Sequence, residues 1–118
     1  MKRFHKATVV ALLAFALVSG VARAEQRLGV EVYRGAEFLP SKSTYVKKAT
    51  GVDVGCYRTT AGPDAVRGYY ARMSGVVTLE PNVFRRNKVD VVVRPPMADP
   101  RTGVVSRYTV LCIMRATD

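Results

Sequence analysis

The chain has 118 residues, with 19 Lys and Arg against 9 Asp and Glu, a formal net charge of +10, 48% hydrophobic residues, two Cys, one His and no Trp. That length allows one domain at most. The only histidine, His5, falls in an N-terminal segment that reads as an export signal. Residues 25–118 therefore lack the makings of an ordinary zinc site, a His-dependent catalytic triad or a c-type haem motif.

The signal is read from three parts. Lys2, Arg3 and Lys6 form a positive n-region, residues 7–18 an apolar h-region, and Ala22-Arg23-Ala24 the small-residue pattern that signal peptidase admits. Cleavage is expected after Ala24, which divides the chain into a signal peptide, 1–24, and a single domain, 25–118. A membrane anchor needs about 20 apolar residues, and Ser19, Gly20 and Arg23 interrupt this run too early. Lys2, Arg3, Lys6 and Arg23 leave with the signal and no acid does, so 15 of the 19 basic residues face all 9 acidic ones, a charge of +6. Residues 25–118 contain no second long apolar stretch, so a soluble periplasmic or secreted protein is expected, with no membrane span after cleavage.

Glu25-Gln26-Arg27 reads as a mobile lead-in, and Leu28, Val30 and Val32 alternate as one half-buried strand ending at Arg34-Gly35. Pro40 excludes a central strand from residues 36–50. That segment is either a loop or a short helix capped by Ser41 or Ser43, with Gly51 as its C′ residue. Val52 to Thr59 alternates again, with Val52, Val54 and Cys56 on the inward face and Asp53, Gly55 and Tyr57 on the other. Pro63 at a first helical position and Asp64 in the first turn start a helix, in which Val66, Tyr69, Tyr70 and Met73 form one apolar stripe. Gly68 weakens it by about 1 kcal/mol.

Val76 to Leu79 is a short strand, and Val83-Phe84 leads into the basic turn Arg85-Arg86-Asn87-Lys88. Val89 to Arg94 is a strand with Val89, Val91 and Val93 on one face. Residues 95–103, rich in Pro, form a wide turn connection, and the last strand runs from about Val105 to Arg115. Its centre, Val110 to Met114, is apolar on both faces, as in a central strand. Cys56 and Cys112 are the only thiols after the signal. In an oxidising compartment they form one structural disulfide, whose loop of about 57 residues gives roughly 4 kcal/mol by chain entropy. The fold class is α+β: a single small domain with an antiparallel sheet of four or five strands, one main helix packed on a face, and one disulfide.

Val32-Tyr33-Arg34-Gly35-Ala36, then Tyr57-Arg58-Thr59 leading into Asp64-Ala65-Val66 and Tyr69-Tyr70, resemble a group of small exported bacterial domains of unknown function. Those carry a V-Y-P-G-A segment, a strand ending Y-x-T and a helix with a V-x-x-F-Y core. The resemblance covers about half of residues 25–118, with Arg34 in place of the proline and Tyr69 in place of the phenylalanine. It implies the fold and carries over no chemistry.

Arg85, Arg86 and Lys88 are the densest basic run, readable as an anion-binding turn or as a solvated turn between strands. Tyr57-Arg58 and Arg107-Tyr108 are candidates for an aromatic and basic binding surface, or else for ordinary sheet contacts. The acids are scattered, and Asp64 has a sufficient structural role. No nucleic-acid motif is present, and no catalytic residue, metal or cofactor is assigned. The expected function is a non-catalytic binding or accessory module whose Arg and Tyr surface meets an anionic envelope component or an acidic protein. The alternatives are a small secreted enzyme inhibitor and a carboxylate-based enzyme.

Overall fold

The computed structural model describes residues 25–117; the export signal read in residues 1–24 lies outside them. The elements run β1 (Gln26–Arg27), β2 (Val30–Glu31), β3 (Glu37–Phe38), α1 (Pro40–Thr50), β4 (Val54–Thr59), α2 (Pro63–Ala71), β5 (Val77–Glu80), β6 (Val83–Arg86), β7 (Val89–Arg94) and β8 (Thr109–Arg115). β1 and β2 form a small ribbon, and the other six strands form one antiparallel sheet in the order β3-β4-β8-β7-β6-β5. The α+β class and the antiparallel sheet hold, but the sheet has six strands rather than four or five, and a second helix is added.

Strand alternation splits the core in two. On the inner face Tyr57, Phe84, Val91, Val93, Leu111 and Ile113 are buried beneath Val66 and Tyr70 of α2, joined by Val30 and Val32 from the ribbon. Full burial of such side chains is worth about 1.5–3 kcal/mol each. On the outer face Val54, Cys56 and Cys112 are buried with Val46 of α1, Val110 and Met114. β4 and β8 are thus covered on both sides, which is why their sequences are apolar in successive positions.

Cys56 and Cys112 are directly opposed on β4 and β8, Cα atoms 4.0 Å apart, and form the disulfide. This is the narrow, non-hydrogen-bonded type of antiparallel pair. The backbone of Cys56 therefore points away from β8: its carbonyl accepts from Leu39 N–H at 2.8 Å and its N–H donates to Ser43 Oγ at 2.8 Å. Ser43 in turn donates to Leu39 O at 2.7 Å. The hydroxyl fills the ladder position left open where β3 gives way to α1.

Several expectations need correction. Residues 28–33 are not one strand, and residues 25–27 are not a loose lead-in. Leu28 and Gly29 both take positive φ, 55° and 83°, making a two-residue turn that folds β1 onto β2. Glu25 O accepts from Val32 N–H at 2.8 Å. Residues 40–50 are helical, but neither Ser41 nor Ser43 caps them. Pro40 opens the helix after Leu39, without a side-chain cap, and Gly51 closes it at φ 78°. Cys56 faces α1, not the larger core, which Tyr57 enters instead.

The last strand begins at Thr109, not Val105. Pro95 and Pro96 have no N–H to give, so β7 ends at Arg94 and the returning residues lose their ladder partner. Only Ala98 and Val105 form a bridge across this connection.

Replacing Ser43 with Ala leaves the Cys56 N–H buried without an acceptor. Urea unfolding of the oxidised protein is expected to show a loss of about 1–3 kcal/mol. Ser41→Ala, at an exposed position with no capping bond, is expected to change stability by less than about 0.5 kcal/mol.

Candidate functional site

At one end of the outer face, Arg58 on β4 and Arg94 on β7 both oppose Val110 of β8, so the two guanidinium side chains leave the sheet on the same side. α1 crosses this face beside them, and the connection from Pro95 to Tyr108 stands opposite. Between them lies an open groove of about 1050 Å³, lined by Lys42 and Tyr45 of α1, Arg94, Met97, Arg101 and Tyr108 among others.

Three cations line the groove against one carboxylate, Asp99. That carboxylate is already engaged: Oδ1 accepts from Arg101 N–H at 2.7 Å and lies 3.8 Å from Arg101 Nε. Among the described residues no carboxylate comes within ion-pair distance of Lys42 or Arg94. At the groove margin the Arg58 guanidinium lies 4.3 Å from the Tyr108 ring centroid and its Nε donates to Glu37 Oε1 at 2.8 Å. The hydrogen bond to Glu37, its largest influence, holds Arg58 above its ordinary pKa. Two arginines and a lysine around Tyr45 and Tyr108 can hold an anion by charge and by bidentate hydrogen bonds.

The residues singled out in sequence are dispersed. Arg85 lies on the outer face and is clamped by Asp90, with Nε to Oδ1 at 2.7 Å and a second nitrogen to Oδ2 at 3.0 Å. Arg86 points to the inner side, where it reaches Met73 Sδ at 3.9 Å. Both belong to β6, so the basic turn shrinks to Asn87 and Lys88, with φ of 52° and 64°. Arg85, Arg86 and Lys88 thus form no common surface.

Tyr57 is fully buried and accepts from Arg27 Nε at 3.3 Å. The Arg27 side chain also fills the space above Gly55, where a Cβ would lie 2.5 Å from Nε. Arg58 and Tyr108 meet, and Arg107 beside them is exposed.

The groove residues Lys42, Tyr45 and Arg101 carried no local motif. Arg94 was legible by alternation: it stands opposite in phase to Val89, Val91 and Val93.

A second polar cluster ties the ribbon to α2. Tyr69 donates to Glu31 Oε1 at 2.5 Å, Tyr70 donates to Glu31 O at 2.8 Å, and the Tyr33 and Tyr69 rings meet edge to face at 5.3 Å. Burial, and then the hydrogen bond to Glu31, push Tyr69 up to about 12, and burial pushes Tyr70 up as well. These phenols are locked neutral and act as struts. Among the described residues no group of three or more Cys, Asp or Glu is placed to hold a metal ion, and no helix is long and apolar enough to cross a membrane.

No protein-family model, no curated protein and no solved structure matches the chain.

The tyrosine struts set an alkaline limit. An unfolded tyrosine ionises near 10 and Tyr69 in the fold near 12, so above pH 10 the unfolded chain releases protons that the folded one keeps. Stability is complete below pH 10 and declines as pH rises through the folded value. The urea midpoint is expected to fall between pH 10 and 12, and Tyr69→Phe to make that fall shallower.

Proposed function

We propose that residues 25–118 act outside the cytoplasm as a non-catalytic binding or accessory module, holding an anionic partner in the groove between α1 and the 95–108 connection. The observation that carries this reading is Lys42 and Arg94, two exposed cations converging on one cleft without a carboxylate to neutralise them. The charge of +6 left after the signal supports it, because a cleft in which cations outnumber carboxylates raises the local concentration of anions. So does the absence of His after residue 24, which removes the commonest general base. The buried disulfide is compatible with a periplasmic or secreted location. The chain recovered from a periplasmic extract is expected to begin at Glu25 on N-terminal sequencing.

The groove is tested with fluorescent polyglutamate, titrated at low and high salt. Binding is expected to weaken with salt. It is expected to fall about tenfold in Lys42→Ser/Arg94→Ser/Arg101→Ser, as for three modest surface pairs. Arg85→Ser/Arg86→Ser/Lys88→Ser is expected to leave it unchanged. Loss in the second variant alone would place the site at the β6–β7 turn instead, and no binding by the unaltered protein would remove the reading.

A further inference from the structure

In and beside the groove the protein exposes apolar side chains that nothing in the described fold covers. Among the described residues seven large apolar side chains are exposed, and four of them, Tyr45 (71%), Met97 (53%), Val104 (67%) and Val105 (67%), belong to α1 and the 95–108 connection. Lys42, Arg94 and Arg101 line the groove with the first three of them, and the exposed Arg107 follows in the chain. We propose that this tip is a membrane-docking surface that inserts its apolar side chains at the headgroup boundary of an anionic phospholipid bilayer while the cations hold the phosphates. The proposal rests on the anion-binding reading of the groove and names its partner.

Three features favour lipid over a protein. First, Val104 lines the groove while its neighbour Val105 lies outside that lining, so the arm is apolar on two sides. An arm apolar on both sides is satisfied by being surrounded, as in an acyl boundary, whereas one protein surface covers only one side. Second, part of the tip's backbone is bonded within itself, which fixes the shape it presents to the headgroups. Asp99 N–H donates to Val104 O at 2.9 Å, Gly103 N–H to Asp99 O at 2.7 Å, Ser106 N–H to Met97 O at 3.0 Å, and Val104 N–H to Thr102 Oγ1 at 3.2 Å.

Third, the charge is mostly of one sign: Lys42, Arg94 and Arg101 outnumber Asp99, whose carboxylate Arg101 already engages. Cations around a shallow apolar wedge are the arrangement that binds anionic lipid, with long side chains reaching back to the headgroups. A second copy of the chain would bring the same cations against these and be repelled.

The test is co-sedimentation with vesicles of phosphatidylglycerol mixed with phosphatidylcholine, against phosphatidylcholine alone, with polyglutamate binding measured in parallel. The protein is expected to sediment with the anionic vesicles and not with the neutral ones. Val105→Ser, at an exposed position outside the groove lining, is expected to lower partitioning about threefold while leaving polyglutamate binding and the urea midpoint unchanged. Lys42→Ser/Arg94→Ser is expected to lower both kinds of binding, with about fivefold lost per cation on the vesicles.

Polyglutamate binding without vesicle binding would overturn the lipid proposal and leave the anion-binding reading standing. Failure of both would remove both. Vesicle binding that is undiminished in Val105→Ser, or that is equal on neutral lipid, would also overturn the docking mode.

Discussion

The burial of β4 and β8 on both faces governs the rest of the structure. Two neighbouring strands with apolar side chains up and down need a layer above and a layer below, and among the described residues two helices supply them. α2 and the ribbon cover the inner face. α1 covers the outer face only where the disulfide lies, because it has 11 residues and is anchored at its start by Leu39 and Ser43 on Cys56. The disulfide and the hydroxyl beside it are therefore one device. The narrow pair turns the Cys56 backbone outward, and Ser43 receives it as the helix begins.

Much of this was legible. The α2 stripe of Val66, Tyr69 and Tyr70, the alternation of Val89, Val91 and Val93, the two-sided apolar centre of β8 and the pairing of Cys56 with Cys112 all follow from local periodicity and cysteine arithmetic, and all stand, while Met73 packs on the same core from just past the helix end. What was hidden depended on turn geometry without turn residues. Leu28-Gly29 and Asn87-Lys88 adopt positive φ at both positions, yet Leu and Lys are poor signals for it, so a hairpin read as one strand and two strand arginines read as a turn. The two-residue strand β3 is held by pairing with Arg58 and Tyr57, and nothing in Glu37-Phe38 alone announces it.

The candidate site was less legible than the fold, for a physical reason. Arg85, Arg86 and Lys88 are adjacent in sequence but successive strand residues face opposite ways, so density along the chain became dispersal in space. The groove gathers Lys42, Arg94 and Arg101 from a helix, a strand end and a connection. Only Tyr108 and its stacked Arg58 link the two sets, since the pair named from sequence lies at the groove margin.

Groove and apolar tip share one cause. Pro95-Pro96 ends β7, and the returning arm, deprived of a ladder partner, swings clear of the sheet, opening the cleft and exposing Val104 and Val105 together. The sheet has another exposed apolar stretch, Val77 and Leu79 on the edge strand β5, and the contrast is informative. There a register shift between Thr78 and Glu80, the carboxylate of Glu80 and the following Pro81 interrupt further pairing, as at edges protected from association. The 95–108 arm carries no such interruption at Val104-Val105, and its neighbouring charges are nearly all cations. One apolar surface is guarded against contact, while the other is left open beside an excess of cations.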